Sequence, residues 1–246
     1  MKLPAIKNKT VLRPGYIPAR FSECLIPDLR ELEFWQGIYA ELSKVLKCPV
    51  VDCASKIDPF FGYFGYRFHP VNLKPKYFHI GIDIMAEKGT GVIAVADGFL
   101  EYSGFSKLNG NYAMISHPEI ITQDEFILHS LYLHLEKFYL RFNIPQKIFR
   151  EVGIKRFAVI PVSSKDSIGE VGATGNVRGL VPHIHLQMEF RDKKGTIIAV
   201  NPALALGVGT KENLTASISS LEEFWKFYKY CGNNLLPWSK LWKEVI

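Results

Sequence analysis

Pro182-His183-Ile184-His185-Leu186 opens the run HIHLQMEF (183–190), and the reading of this stretch decides the fold. On a strand, successive side chains face opposite sides. Ile184 and Leu186 then share one face and anchor the strand in a core. His183 and His185 share the other, about 6.5 Å apart. That spacing suits one histidine on a metal and the other within reach of a reacting water. Taken alone, the pair reads equally as two histidines on a sheet surface.

Neighbouring stretches have the same texture. GVIAVADGFLEYSG (91–104), NYAMISHP (111–118) and FILHSLYLHLEKFYL (126–140) alternate short runs rich in Val, Ile, Phe and Tyr with Gly and Asn. These read as strands joined by tight turns. They predict a mainly β, β-rich α+β chain, with an antiparallel β-sheet core over residues 56–206. Segment 141–166 is less regular and reads as an insertion.

Helical extensions are expected on both sides of this core. Within residues 1–55, Asp28-Leu29-Arg30-Glu31 fits a capping-box-like start. Leu32, Trp35, Tyr39, Leu42, Val45 and Leu46 then recur at helical spacing until Pro49. This amphipathic helix is expected to pack on the main domain. In residues 207–246, Ser220-Leu221-Glu222-Glu223 opens an aromatic-rich helix, FWKFYKY.

The 246 residues are 48% hydrophobic and 22% charged, which suits a soluble globular protein with one main core. No apolar run approaches the roughly 18 residues that a membrane helix needs. The basic start MKLPAIKNKTVLRPGYIPAR lacks a following apolar segment and does not read as a signal peptide. A net charge of +6 favours polyanionic partners such as a bacterial cell wall or nucleic acid. The Lys and Arg residues are scattered and no nucleic-acid motif occurs, so a solvated surface is the preferred reading. Cys24, Cys48, Cys53 and Cys231 form no CxxC pair, which argues against a thiolate zinc site. Cys48 and Cys53 are close enough for a local disulfide. Four reduced thiols are the favoured expectation.

All seven histidines lie between His69 and His185. In Phe78-His79-Ile80-Gly81-Ile82-Asp83 the β-branched residues argue for a strand. On a straight strand, His79 and Asp83 would stand about 13 Å apart, too far for one metal with bonds of about 2 Å. The chain must bend, most easily at Gly81. In Leu131-Tyr132-Leu133-His134-Leu135, Tyr132 and His134 are expected on one face and the three leucines on the other. A lone histidine there is more often structural than catalytic. Two histidines and one carboxylate nonetheless make a known catalytic zinc set. Two unligated histidines beside it can deprotonate water and stabilise an oxyanion.

The ordered set His79-x-Gly81-x-Asp83, Tyr132-x-His134-Leu135, Gly169-x-x-Gly172-x-Thr174-Gly175 and Pro182-His183-x-His185 resembles the lysostaphin/LytM-type zinc endopeptidases of bacterial cell walls. FGYRFHP (64–70), AEKGTGVIAVADG (86–98) and NPALAL (201–206) extend the likeness over residues 60–206. The resemblance implies one zinc on His79, Asp83 and His185, with His134 and His183 catalytic. It implies a β-rich fold, hydrolysis of peptide bonds in peptidoglycan stems or cross-bridges, and a periplasmic or secreted location. His69, His117 and His129 are expected to be structural. Family members usually carry Glu two residues after the last ligand, where this chain has Gln187. The stretch from His134 to Gly169 is longer than usual, and so is the loop NVRGLV (176–181). A second reading is a catalytically silent module of the same type that binds the wall or regulates another hydrolase. Oligomeric state is left open.

Overall fold

The alternation expected of residues 183–190 is realised as a nine-residue strand, His183–Arg191. The computed structural model describes residues 1–6, 11–12, 24–27, 32–57, 62, 64–67, 77–139 and 160–208. Within them the chain runs through β1 (Lys2–Leu3), β2 (Val11–Leu12), β3 (Cys24–Pro27), α1 (Leu32–Val45), α2 (Cys53–Lys56), β4 (Gly65–Arg67), β5 (Tyr77–His79), β6 (Gly81–Met85) and β7 (Gly91–Ile93). It continues through β8 (Gly98–Ser106), β9 (Gly110–Thr122), β10 (Ile127–Leu135), β11 (Lys137–Phe138), β12 (Ile160–Val162), β13 (Ser167–Glu170), β14 (His183–Arg191), β15 (Ile197–Val200) and α3 (Pro202–Ala205). This is the strand-rich, mainly antiparallel architecture that the sequence predicts.

The main sheet follows the order β12-β8-β9-β10-β14-β15-β3-β2. β14 is its hub. One edge pairs antiparallel with β10, from His185 opposite Leu133 to Arg191 opposite Ile127. The other edge is shared. β6 takes residues 183–187 and β15 takes residues 188–191, both antiparallel. Ile184, Leu186, Met188 and Phe190 are all fully buried in the main core. Burying each contributes about 1.5–3 kcal/mol, and a one-residue slip would carry all four to the wrong face. The register that aims His183 and His185 is therefore held by the core.

The N-terminal stretch is more than helical. β1 lies parallel to β9, and β3 lies parallel to β15. The Ile6 amide donates to both carboxylate oxygens of Asp124. α1 is docked, with Trp35, Ile38, Tyr39, Leu42 and Leu46 in the main core. Its buried stripe includes Ile38 and leaves Val45 41% exposed, one step rotated from the expected set. The Asn201 amide donates to the Tyr39 hydroxyl, tying the helix to the start of α3.

Cys48 and Cys53 form a disulfide, their Cα atoms 6.0 Å apart, so the expectation of reduced thiols is corrected for this pair. The turn between α1 and α2 brings the two together, and amides of Lys47 and Ile93 cross-link it to the β7 region through Val95 and Pro49 carbonyls. Of the expected insertion, residues 160–162 are strand β12, paired with β8. Residues 141–159, His69, the capping box at 28–31 and the C-terminal helix lie outside the described residues. Among the described residues, no helix is long and apolar enough to cross a membrane.

Candidate active site

The site grows from the junction of β5, β6 and β14. β5 ends at His79 and β6 starts at Gly81, so the strand breaks where the sequence demanded a bend. β5 pairs with β4, whereas β6 pairs with β14. The break swings His79 back toward Asp83, and Asp83 lies directly opposite His185 across the ladder. Gly81 serves a second purpose. A Cβ there would stand 2.5 Å from the Leu186 carbonyl oxygen and 2.6 Å from His185 Nε2. The His185 ring lies over the bare Gly81 backbone, and no side chain fits beneath it.

Three ligand atoms converge as a result. His79 Nε2 and His185 Nδ1 are 2.9 Å apart. His185 Nδ1 and Asp83 Oδ1 are 2.9 Å apart. His79 Nε2 and Asp83 Oδ1 are 3.3 Å apart. Ligands at about 2.0–2.1 Å in a tetrahedron have edges of about 3.3 Å, so this triangle is close to one face of such a cage. Two imidazole nitrogens and a carboxylate oxygen form a donor set suited to zinc. These three residues are a group able to hold a metal ion. His79 is 1% exposed and His185 8%, which shields the cluster from water.

His134 reaches the same place by an irregular route. Along β10, Tyr132 pairs with Ala113 but Leu135 pairs with Asn111, so β10 carries one extra residue. At this bulge His134 has φ 65°, a left-handed conformation in which histidine is among the better tolerated residues. A bulge re-aims side chains. Here it turns His134 away from the core face and toward the histidine face of β14. The expected grouping of faces is therefore corrected at two positions. Tyr132 does not line the cleft: it is fully buried, and its hydroxyl accepts from the Val95 amide and the Ser130 hydroxyl. Leu135 joins the main core, while Leu131 and Leu133 form a smaller cluster with Met114 on the other face.

His134 and His183 flank the triad. Their ring centroids are 5.3 Å apart and edge to face, and His134 is 6.1 Å from His185. His134 Nδ1 lies 3.0 Å from the Thr174 carbonyl oxygen. His183 Nδ1 lies 2.9 Å from the Val181 carbonyl oxygen. A carbonyl only accepts, so each Nδ1 carries a proton and each Nε2 is left for other contacts. Burial above all, then the charges of His185 and His183, pushes His134 down to about 3. It is therefore neutral at pH 7 and able to accept a proton.

The glycine- and threonine-rich turn supports this geometry. The Thr174 hydroxyl donates to the Leu135 carbonyl and accepts from the Asn111 amide. A Cβ on Gly172 would stand 2.2 Å from the Glu136 nitrogen, and one on Gly175 2.3 Å from the Gly110 nitrogen. The turn thus packs backbone to backbone on the ends of β9 and β10. Thr174 orients His134, a role that the sequence contained but that residue spacing did not assign.

Two other histidines are placed. His117 bonds the Asp97 carbonyl and the Ser130 hydroxyl from inside the core. His129 bonds the Ile127 carbonyl and Glu101. Gln187 is fully buried on the histidine face of β14. Its amide donates to Glu189 at 2.6 Å, and Arg191 pairs with the other Glu189 oxygen.

Residues 77–150 match the family model described as Peptidase family M23. This span includes His79, Asp83 and His134. The DD-carboxypeptidase/endopeptidase Mpg of Neisseria meningitidis is 34% identical over 137 residues, covering 56% of this chain and 26% of that protein. The peptidoglycan DD-endopeptidase ShyC of Vibrio cholerae is 34% identical over 122 residues, covering 49% of this chain and 22% of that one. The chain thus spans about a quarter of the length of these curated relatives. The catalytic domain of lysostaphin from Staphylococcus simulans aligns over 60% of this chain and 90% of its own, at 24% identity and a TM-score of 0.40. Residues 77–150 of this chain are thus similar to Peptidase family M23.

Proposed function

We propose that this chain is a zinc-dependent endopeptidase that hydrolyses peptide bonds in bacterial peptidoglycan, in stem peptides or cross-bridges. The observation that carries the reading is the convergence of His79 Nε2, Asp83 Oδ1 and His185 Nδ1 within 4.8 Å of one another, beside two further histidines that are hydrogen-bonded to backbone rather than to this cluster. His79, Asp83 and His185 would hold one zinc. That ion supplies Lewis acidity for the scissile carbonyl and makes water a better nucleophile at neutral pH.

The remaining work falls to His134 and His183. Their Nδ1–H groups are pinned by the carbonyls of Thr174 and Val181, which fixes the tautomer and leaves Nε2 for the reaction. One ring takes a proton from the attacking water. That ring, then protonated at Nε2, hydrogen-bonds the oxyanion and passes the same proton to the leaving amine, while the other holds the attacking water through its Nε2 lone pair. General acid–base help of this kind is typically worth 100- to 10,000-fold. The relatives' names, a DD-carboxypeptidase/endopeptidase and a peptidoglycan DD-endopeptidase, support the choice of substrate. Such a substrate implies work in the cell envelope.

Digesting peptidoglycan of several chemotypes with the purified chain, and sequencing released fragments by mass spectrometry, tests the substrate. New peptide termini that vanish with a chelator support it. Intact peptidoglycan in every chemotype, from protein that holds zinc, would favour the silent wall-binding module instead.

A further inference from the structure

A buried polar row runs along the histidine face of β14 beyond the metal ligands. His183, His185, Gln187 and Glu189 alternate with the four core residues, and all four are under 10% exposed. At its far end Glu189 is satisfied by Gln187 Nε2 and by Arg191. That contact fixes the Gln187 amide, because a carboxylate accepts only from the nitrogen end. The oxygen end, Oε1, is then buried and has no hydrogen-bond partner among the described residues. An unsatisfied buried carbonyl costs about 1–3 kcal/mol, so its retention calls for a reason.

Directly across from Gln187 stand Leu131 on β10 and Gly81 on β6. Leu131 offers no polar atom, and Gly81 has no side chain. The ring over Gly81 is that of His185, whose Nε2 occupies the space where a Gly81 Cβ would be. The Nδ1 of this ring faces Asp83 and His79. A metal on Nδ1 leaves the proton of a neutral imidazole on Nε2. Gln187, which carries the orphaned acceptor, thus pairs with the same Gly81 over which His185 Nε2 lies.

We infer that Gln187 is a positioning residue for the metal site: its Oε1 receives the His185 Nε2–H through one buried water, locking the tautomer that presents Nδ1 to the metal. The inference rests on the proposed zinc site. Arg191 holds Glu189, Glu189 holds the Gln187 nitrogen, and the Gln187 oxygen holds His185. An outer partner of a ligating histidine is commonly worth 10- to 100-fold in metal affinity. The row also accounts for an amide at position 187, since a carboxylate there would face Glu189 at the distance where the amide now donates.

Zinc affinity measured by chelator competition tests this, with melting temperature followed for apo and zinc-loaded protein. Gln187→Leu is expected to weaken zinc binding about 10- to 100-fold and to shrink the rise in melting temperature that zinc produces. A purely structural role would instead lower both melting temperatures equally and leave affinity unchanged. The exchanged pair Gln187→Glu/Glu189→Gln returns an acceptor beside His185 while keeping an amide–carboxylate contact, and is expected to recover affinity to within about threefold of the parent. If Gln187→Leu fails to fold, Gln187→Leu/Glu189→Leu removes the stranded carboxylate as well and carries the same measurement. Unchanged zinc affinity in the leucine variant overturns the inference while the zinc site stands. Absence of zinc binding in the parent overturns the proposed function itself.

Discussion

His134 and His183 meet edge to face with ring centroids 5.3 Å apart, although only a left-handed residue in β10 allows it. His134 sits at φ 65° in the bulge between Tyr132 and Leu135. Without the bulge its ring would join Tyr132 in the core. The catalytic pairing proposed above is thus built from backbone irregularity on one strand and regular alternation on the other.

His134→Ala and His183→Ala are expected to retain zinc and fold while losing most cleavage, each by about 100- to 10,000-fold. The double variant is expected to lose less than the product of the two, because the rings work as a unit. Turnover on an accepted peptidoglycan substrate checks this. Near-normal rates in either single variant contradict its role, and loss of zinc in His183→Ala would show that ligand and catalyst are exchanged between His183 and His185.

The bulge makes a separate stability prediction. A β-branched residue at φ 65° is strained, whereas glycine is not. His134→Val is expected to be less stable than His134→Gly by roughly 1–2 kcal/mol. Urea unfolding of the two variants reads the difference, and equal stabilities would argue that position 134 is not left-handed in solution.

Gly81→Ala is expected to damage both fold and site. The new methyl would lie 2.5 Å from the Leu186 oxygen and 2.6 Å from His185 Nε2, and overpacking of this kind typically costs about 1–3 kcal/mol. Zinc content and melting temperature should fall together. A fully loaded Gly81→Ala protein would mean that His185 does not lie over this backbone.

His117 gives the fold a dependence on acid. Burial, the largest influence, holds it at about 4 rather than 6.5. Between these values the unfolded chain binds a proton that the folded chain does not, so stability falls as pH drops from 6.5 toward 4. At about 1.4 kcal/mol per pH unit this amounts to at most about 3 kcal/mol. His117→Gln is expected to flatten the pH dependence of the urea midpoint across this window relative to the parent. An unchanged slope would assign the acid sensitivity to other groups.

Much of the site was legible because strands impose a period of two. Ile184 and Leu186 against His183 and His185 needed only that rule, and the 13 Å problem between His79 and Asp83 pointed to a bend next to Gly81. The same rule failed at Leu131–Leu135. It assumes a straight strand, and nothing local in Tyr132-Leu133-His134-Leu135 announces an extra residue relative to β9. Thr174 was visible within Gly172-Ala173-Thr174-Gly175, yet its bonds run to Leu135 and Asn111, partners distant in sequence. The Cys48–Cys53 bridge was open on spacing alone, and the fold of residues 46–57 decided it. Val45 and Ile38 exchanged roles because a helical stripe specifies a face only to within about one residue of rotation.

Zinc titration of metal-free protein, with cleavage of a peptidoglycan-derived peptide as the readout, tests the central claim most directly. The account predicts no cleavage without metal and activity rising linearly to a plateau at one zinc per chain, with His185→Ala failing to reach it because a ligand is gone. Cleavage by metal-free protein, or full activity in His185→Ala, would contradict the account.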